Sequence, residues 1–341
     1  MDEALLQLSH ISMYFPGIKA LDDVHITIKP GEVHALIGEN GAGKSTLVKI
    51  MTGVYKPNSG TIRYLGKEIQ FKSPQEAQKA GIAVIHQETA MFTDLTVAEN
   101  IFMGHEPRYP MPNWIPVQPI SWKNMFRYAD ELLQNLGMSI DSHTLVKNLS
   151  TAERHLVEIA KALSQEAKIL IMDEPTSAIT IRETKELFDL VKKLKAQGTA
   201  IVFISHKFEE LFEIADYYTV LRDGRYIGEG SMQQVTEDEL IRMMVGRSID
   251  QLFPKGNALI GEIVLEARNL SKIGVFKDVS FSVHRGEILG FFGLVGAGRS
   301  EVMRAMIGID PLDSGEIIMG DHPCRFKSPQ DSMKRGIVYM P

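Results

Sequence analysis

Polar and apolar residues follow two different spacings along the chain: segments with the two-residue period of strands alternate with segments that have the spacing of helices. Leu5 to Ile11 and Val24 to Ile28 alternate between apolar and polar positions, which predicts two edge strands of an antiparallel sheet at the start of the chain. Glu32 to Ile37 is apolar enough for a buried strand, and helical spacing follows it directly. Strand and helix patterns then alternate again further along the chain, which predicts an α/β sheet.

The middle of the chain has helical spacing with one interruption. Asp130 to Leu136 reads as a helix, whereas five prolines between Pro107 and Pro119 exclude regular structure and predict a surface loop. Beyond the loop the pattern predicts, in order, a helix from about Thr151, a strand at Lys168 to Met172, a helix at Arg182 to Gln197 and a strand at Thr199 to Ser205.

The beginning of the chain recurs near its end. Gly38 to Gly43 returns as Gly293 to Gly298, and Lys72 to Gln75 returns as Lys327 to Gln330, each 255 residues later. We therefore expect a tandem duplication whose second copy stops at the position that matches His86. The pattern from Ser231 to Ile260 indicates a linker between the copies, and the predicted units are a first domain at 1–245, a linker at 246–260 and the beginning of a second domain at 261–341.

Composition and charge exclude several classes of protein. The 341 residues carry 37 basic and 43 acidic side chains, a net charge of −6 that argues against a nucleic-acid partner. The single cysteine, Cys324, excludes an intrachain disulfide and fits a reducing compartment. The first ten residues lack the features of a signal peptide, and no apolar run approaches the ~18 residues of a membrane span. A role at a membrane would therefore need a partner protein.

A phosphate-binding loop follows the strand that ends at Ile37. The sequence matches G-x-x-x-x-G-K-[ST] and has an apolar strand before it and a helix-forming run after it. Small residues let backbone N–H groups point at an anion, the lysine adds a mobile charge, and the serine hydroxyl is a ligand for Mg²⁺. The loop residues are Gly38, Glu39, Asn40, Gly41, Ala42, Gly43, Lys44, Ser45 and Thr46.

Two acids end the buried strand predicted near Met172. In α/β sheets, ligands bind at the carboxyl ends of the strands, so Asp173 and Glu174 are expected close to the phosphate-binding loop. Asp173 is predicted to hold Mg²⁺ and Glu174 to act on the water that attacks a phosphate.

Together these motifs resemble those of the ATP-binding cassette proteins, and the resemblance covers nearly the whole chain. It implies ATP and Mg²⁺ as cofactors and a P-loop nucleotide-binding domain with an antiparallel β subdomain and a helical subdomain at about 88–160. It also implies a second, incomplete copy of the domain at the end of the chain.

The resemblance assigns roles to further residues. Phe15 matches the aromatic residue that stacks on adenine, with Tyr14 as the alternative, and Gln87 matches the glutamine that senses Mg²⁺ and the membrane partner. Leu149-Ser150 opens a signature motif that binds nucleotide, and Ser177 to Thr180 follows Glu174 as a D-loop. His206 matches the histidine that bonds the γ-phosphate, so Glu174, His206 and Gln87 form the implied catalytic set.

Longer stretches, among them GEVHALIGENGAGKSTL and DEPTSAIT, are similar to the single-chain ATPases of bacterial monosaccharide importers. That resemblance implies a membrane sugar permease as partner, a periplasmic sugar-binding protein acting indirectly, and a place on the cytoplasmic face of the inner membrane. A second nucleotide-binding domain, from the same protein or a second copy, would complete the ATP site. Apolar residues after Gln87 are candidates for permease contact, although most apolar residues at such spacing belong to a core: Met91, Phe92, Leu95, Ile101, Phe102 and Met103.

Two departures from the family pattern limit this interpretation. The signature reads Leu-Ser-Thr-Ala-Glu, so Ala152 replaces a glycine that lets backbone approach a phosphate. In the second copy Arg299 and Glu301 replace Lys44 and Thr46, and four residues are missing from the segment that holds Phe15 in the first. We expect a degenerate second site and slow hydrolysis by this chain alone.

Two other functions remain open at the level of sequence. One is a regulatory cassette that senses ATP without hydrolysing it, which Ala152 and Arg299 favour. The other is an ATPase that acts on nucleic acid or the ribosome, which should carry a basic arm. The junction between the copies instead carries Glu237, Asp238 and Glu239.

Overall fold

The computed structural model of the protein describes residues 4–85, 91–110, 118–177, 179–246, 259–293, 296–320 and 322–340. The chain forms two compact units, Met1–Leu252 and Phe253–Pro341. The division falls inside the range proposed for the linker, 246–260. Among the helices in the described ranges, none combines the length and apolar character that a membrane crossing requires.

The described part of the first unit is built on one ten-stranded sheet. Its strands are β1 (Leu6–Phe15), β2 (Ile18–Ile28), β3 (Val33–Ile37), β4 (Ser59–Tyr64), β5 (Lys67–Glu68), β6 (Ile82–Ile85), β7 (Ile169–Asp173), β8 (Ala200–Ile204), β9 (Tyr217–Arg222) and β10 (Arg225–Ser231). Its helices are α1 (Lys44–Met51), α2 (Pro74–Lys79), α3 (Val97–Phe102), α4 (Trp122–Leu136), α5 (Thr151–Leu163), α6 (Ile181–Ala196), α7 (Phe208–Ile214) and α8 (Glu237–Val245), with 3-10 turns at Val146–Asn148 and Met232–Gln234.

The sheet has an antiparallel and a parallel half. Its order is β5-β4-β1-β2-β10-β9-β3-β8-β7-β6, and β9, β3, β8, β7 and β6 run parallel to their neighbours within that series. β1 pairs antiparallel with β2 and β4, and β2 also pairs with β10. The prediction that β1 and β2 are edge strands is therefore wrong, because alternating polarity marks one exposed face and not an unpaired edge. Because β3, β7 and β8 are parallel, their carboxyl ends lie at one edge, where the residues that follow them come together. The predicted α/β class is confirmed.

Alternate residues of the central strands enter two hydrophobic cores. In β7, Ile169 and Ile171 join one core while Leu170 and Met172 join the other. All five residues of β3 are buried. The continuous apolar runs in the sequence therefore mark strands that are covered on both faces.

A third core lies between α3, α4 and α5, in the predicted helical subdomain. Ile101 and Phe102 are buried in this core, so of the two readings of their apolar spacing, internal packing applies to them and permease contact does not. Phe92 is different, because 56% of it is exposed.

The prediction of a linker beginning at Ser231 is wrong. Thr236 caps α8 by accepting a hydrogen bond from the Glu239 N–H, while the Glu239 carboxylate accepts from the Thr236 N–H at 2.8 Å. Leu240 is fully buried against the second core. The acidic run that resembled a solvated linker is the first turn of a helix, where negative charge is favourable.

The described part of the second unit contains a four-stranded antiparallel sheet of order β12-β11-β13-β14. Its elements are β11 (Ile263–Lys272), β12 (Phe276–His284), α9 (Arg299–Met306), β13 (Ser314–Met319), β14 (His322–Cys324) and α10 (Pro329–Lys334). The β11–β12 hairpin repeats the β1–β2 hairpin, down to the register shift that precedes Leu270 as it precedes Ile11.

Candidate nucleotide-binding and hydrolysis site

The phosphate-binding loop connects the buried strand β3 to α1. Gly43 caps α1 with φ at 101°, and a side chain there would lie 2.6 Å from Leu21 Cδ2 and 2.8 Å from Ala20 O. At Gly38 a Cβ would collide with the Leu221 carbonyl oxygen. Glycine is required at both positions because the loop is pressed against β2 and β9.

Lys44 begins α1 and lies across the loop. Its Nζ donates to Gly38 O at 2.6 Å and to Glu39 O at 3.0 Å. Burial lowers the pKa of this ammonium group, and the carboxylates of Asp173, Glu174 and Glu39 partly offset that effect. These carboxylates are therefore close enough to act electrostatically on Lys44.

A cleft of about 470 Å³ lies over the loop. It brings together residues that are far apart in the sequence: the loop itself, the two acids at the end of β7, and residues at the β1–β2 and β9–β10 turns. The lining residues are Ile18, Lys19, Ala20, Glu39, Asn40, Gly41, Gly43, Lys44, Ser45, Thr46, Asp173, Glu174, Asp223 and Gly224. Ala42 is buried beneath them.

The cleft has the oxygen ligands that a magnesium ion needs. The hydroxyl of Ser45 and the carboxylate of Asp173 line the same space, and Mg²⁺ prefers such hard oxygen donors together with phosphate oxygens. The third predicted metal residue, Gln87, lies outside the described residues. The donor set present therefore fits the ion.

Glu174 and His206 form a pair at the edge of the sheet. His206 Nδ1 lies 3.1 Å from Glu174 Oε1, and 68% of the histidine side chain is exposed. Glu174 has φ at 48°, and its N–H donates to Ile204 O at the end of β8. A cavity of about 680 Å³ beside this pair is also lined by Glu39, Asn40 and Lys44.

Behind that pair lies a polar network that our sequence analysis missed. Glu210, a buried residue of α7, accepts hydrogen bonds from Thr176 Oγ1 at 2.7 Å and from Ser205 Oγ at 2.9 Å. Lys207 Nζ lies 2.9 Å from its other oxygen. Thr176 follows Glu174 and Ser205 precedes His206, so Glu210 ties together the two loops that present the pair. The sequence feature that could have drawn attention to Glu210 is its position as an acid four residues after His206.

The β9–β10 turn was also missed. Gly224 N–H donates to Ala42 O at 3.2 Å, and Gly224 O accepts from Asp22 N–H at 2.7 Å. The turn thus clamps the phosphate-binding loop from the side. Its Asp-Gly sequence predicts a turn but does not reveal what the turn touches.

The residues predicted to stack on adenine, Phe15 or Tyr14, are placed less clearly than the phosphate-binding residues. Phe15 ends β1 and packs edge-to-face on Tyr55 with a ring distance of 5.5 Å, and it is not among the residues that line the cleft. Tyr14 is partly exposed beneath the Lys19 ammonium, which lies 5.3 Å from the ring centre. Either residue as an adenine platform stays a prediction.

Ser150 is the N-cap of α5. Its hydroxyl accepts from Glu153 N–H at 3.2 Å, and its own N–H donates to Glu153 Oε2 at 2.7 Å. The motif that the sequence marks as a signature thus forms a capping box at an exposed helix N-terminus. Its role towards nucleotide stays a prediction.

In the second unit, α9 starts at Arg299 and is capped by Gly298 with φ at 86°. Lys44 and Gly43 hold the same places in the first unit. The described part of the second loop thus keeps the backbone turn while presenting a different cation. Leu294 and Val295 lie outside the described residues.

Known proteins share both the sequence and the fold. The chain is 50% identical over 338 residues to "Ribose import ATP-binding protein RbsA 2" of Rhizobium johnstonii and 47% identical over 340 residues to "Ribose import ATP-binding protein RbsA" of Roseobacter denitrificans. These matches include 99% and 100% of this chain but only 65% of each relative. The chain therefore spans about two thirds of the length of these relatives.

Solved structures agree with this. A nucleotide-free ATP-binding cassette from an ABC transporter matches with a TM-score of 0.60 and 30% identity, over 72% of this chain and 96% of that one. The ADP conformation of MJ1267, an ATP-binding cassette of an ABC transporter, matches with a TM-score of 0.60 and 28% identity, over 74% of this chain and all of that one. The predicted fold class is confirmed.

The model of the family described as "ABC transporter" matches residues 21–177 and 276–341, one stretch in each copy of the repeat. These stretches include the phosphate-binding loop, the two acids after β7 and the start of α9. The resemblance drawn from the motifs is confirmed, and the chain belongs to the ABC transporter family.

Proposed function

We propose that the protein binds ATP with Mg²⁺ and hydrolyses it to drive the import of a monosaccharide through a partner permease. The observation that carries this proposal is the meeting of Lys44, Asp173 and Glu174 in one cleft, with His206 only 3.1 Å from Glu174. Carboxylates, a lysine and a histidine at the carboxyl ends of parallel strands are the groups that phosphoryl transfer to water requires.

Each residue has a role that its position supports. The N–H groups of the loop and of the first turn of α1 bind the phosphates, and Lys44 exchanges its two carbonyl partners for phosphate oxygens. Ser45 and Asp173 would hold Mg²⁺, which neutralises charge developing on the phosphates. Glu174 accepts the proton of the attacking water, and His206, beside it, bonds the γ-phosphate.

The substrate and partners rest on a different argument. The relatives named for ribose import are about half identical to this chain, which supports a monosaccharide as cargo. A permease, a periplasmic sugar-binding protein and a second nucleotide-binding domain are the partners we propose, at the cytoplasmic face of the bacterial inner membrane. Phe92 is the exposed apolar residue that best suits contact with the permease.

Hydrolysis is tested by replacing the proposed base. In Glu174→Gln we expect the rate of phosphate release to fall by about a hundredfold or more, because a general base contributes that much. ATP affinity, measured by titration of a fluorescent nucleotide, should stay within about threefold of the wild type, because ΔΔG below 0.7 kcal/mol is expected when the hydrogen-bonding shape is kept. The matched control is Glu186→Gln, an exposed acid of α6 paired with Arg182.

The outcomes separate the alternatives. Unchanged phosphate release in Glu174→Gln would sink the assignment of the base. Tight ATP binding without release, in the wild type and with permease added, would favour a regulatory ATP sensor. Rates should be recorded over a range of protein concentrations, because a second nucleotide-binding domain is proposed to complete the site.

The transport role has its own test. We expect the reading frames beside this gene to encode a membrane permease and a periplasmic sugar-binding protein. The permease should copurify with the chain, and Phe92→Asp should weaken that association while leaving ATP binding unchanged. Neighbouring genes for ribosomal or repair proteins would contradict import.

A further inference from the structure

Three chemically active side chains meet on the β1–β2 hairpin of the antiparallel half, and none of them lines the cleft over the phosphate-binding loop. His10 projects from β1, and Asp23 and His25 project from β2. His10 Nδ1 lies 2.8 Å and His25 Nε2 lies 3.7 Å from the same oxygen, Asp23 Oδ1. One ligand atom from each residue can be chosen so that all three lie within 4.8 Å of one another.

A bulge in the hairpin creates this convergence. The register of β1 and β2 shifts between Leu8 and Ile11, and His10 and Asp23 have φ at 55° and 57°. Left-handed backbone at these two positions turns their side chains out of the regular alternation of the strands. The fold therefore fixes the spacing of His10 and Asp23 before any ligand is considered.

We propose that His10, Asp23 and His25 form a binding site for a divalent transition-metal ion, with Zn²⁺ as the representative case. Two imidazoles and one carboxylate suit Zn²⁺ or Ni²⁺, which accept nitrogen ligands, and are poor ligands for Mg²⁺ or Ca²⁺, which prefer oxygen. The side chains are 73%, 64% and 36% exposed, so an ion can enter and water can complete its coordination.

Binding of the metal ion requires the proton on each of the two imidazole rings to move to its other nitrogen. His25 Nδ1 accepts a hydrogen bond from the His10 N–H at 3.2 Å, so neutral His25 carries its proton on Nε2. Binding a metal through Nε2 moves that proton to Nδ1, and the His10 N–H then bonds to water. His10 likewise moves its proton from Nδ1 to the exposed Nε2. No net proton is released from neutral rings, and the cost is two exposed hydrogen bonds, the one from the His10 N–H to His25 and the one from His10 Nδ1 to Asp23.

The second unit provides an internal comparison. Asn269, Asp278 and Ser280 occupy the matching places, and Asn269 and Asp278 have φ at 48° and 53°. The Asn269 N–H donates to Ser280 Oγ at 2.8 Å, as the His10 N–H does to His25. The same bulge therefore forms without histidine, so its backbone geometry does not depend on the two imidazoles of the first unit.

The comparison also supplies the variants. His10→Asn with His25→Ser copies the residues that the second unit already uses, so the fold should be kept. Titration calorimetry of the whole chain with Zn²⁺, without nucleotide, should show this site lost or weakened at least tenfold in the double variant. The matched control is His322→Asn, an exposed histidine of the second unit; Cys324 is present in every variant.

The reverse experiment moves the site. Asn269→His with Ser280→His places two imidazoles beside Asp278, and the Zn²⁺ stoichiometry should rise by one. Excess Mg²⁺ should displace neither site. Equal Zn²⁺ binding by the wild type and the His10/His25 double variant would overturn the proposal, and so would displacement by Mg²⁺. An unchanged stoichiometry in the transplant would overturn the argument that the bulge sets the ligand spacing. Since no step uses ATP turnover, these results are independent of the proposed function.

Discussion

The site shifts the pKa of Lys44. Burial lowers the pKa of its ammonium group below the ordinary value of 10.5, so the folded chain binds this proton less tightly than the unfolded chain does. The charged lysine therefore costs stability at neutral pH, and the cost is relieved as pH rises through the folded pKa towards 10.5.

The sign of this effect is testable with Lys44→Met. Between neutral pH and pH 10, the free energy of unfolding of the wild type should rise relative to that of the variant. Urea titrations followed by circular dichroism at several pH values measure the difference. Wild-type stability that falls relative to Lys44→Met over this range would contradict the burial argument, and ATP affinity should drop about tenfold to a hundredfold in the variant because a charged hydrogen bond is lost.

Glu210 positions the loops that carry Glu174 and His206. Its substitution should therefore change kcat and leave KM, which reflects nucleotide binding, nearly unchanged. Glu210→Ala leaves Thr176, Ser205 and Lys207 without their shared acceptor, which should cost about 1–3 kcal/mol of stability. Because both loops beside the Glu174–His206 pair lose their anchor, kcat should fall between about tenfold and a hundredfold with KM little changed.

The control for that prediction is Glu209→Ala, which removes the exposed acid next to Glu210 on the same helix. Glu210→Gln, which keeps an acceptor oxygen, should recover part of kcat. If Glu210→Ala lowers stability while kcat stays at the wild-type level, the network serves the fold alone.

Residues of the site were predictable where the chemistry is local in sequence. The phosphate-binding loop and the acids after β7 each sit beside the strand that positions them. The contact of Glu210 with Thr176 and that of Gly224 with Ala42 were not predictable, because these partners lie 34 and 182 positions away in the sequence. The local pattern, an acid four residues after His206 and an Asp-Gly turn, indicates neither partner.

Among the elements, α5 is stabilised by its N-cap residue, Ser150, and this contribution can be measured. Ser150→Ala removes the hydroxyl that accepts from Glu153 N–H and should cost about 1 kcal/mol. Ser150→Asp keeps a capping oxygen and should be close to the wild type in thermal stability. Differential scanning calorimetry distinguishes the two, and equal loss in both variants would show that the cap is not the source of stability.

Elements with strong periodicity were predicted well. The sequence placed α5 at Thr151, where the structure begins it, and placed the helix at Arg182 to Gln197 within one residue of α6. α8 was missed because its acidic first turn resembles a solvated linker, although Thr236 and Glu239 form a recognisable capping box. Short strands such as β5, with two residues, have too little pattern to be found.

For the whole molecule, nucleotide binding should appear as thermal stabilisation. ATP with Mg²⁺ at a hundred times its Kd should add about 2.7 kcal/mol, which raises the Tm by about 5–10 °C for a unit of this size. Differential scanning fluorimetry measures the shift. In Lys44→Met the weaker affinity leaves about 0.4–1.4 kcal/mol at the same concentration, so the shift should be at most about half that of the wild type. A shift of the same size in that variant would place the nucleotide elsewhere.

The repeat and the fold class could be predicted for the molecule as a whole, because motif spacing records duplication directly. The order of the sheet could not. β10 meets β2 through the single pair Arg225 with Asp22, which lie about two hundred residues apart, and nothing in either strand's pattern specifies the other. Packing between distant segments decides that order.

The backbone at Glu174 has a consequence for how such a protein changes under selection. A glutamate at φ 48° occupies left-handed space that costs most residues about 1–2 kcal/mol and costs asparagine less. A population selected only for heat resistance would gain by exchanging this carboxylate for asparagine. Only a population whose growth depends on turnover would keep it. Thermal selection without a growth requirement should therefore accept asparagine at Glu174 as readily as at the other left-handed positions Leu65 and Glu166, and only the change at Glu174 should abolish turnover.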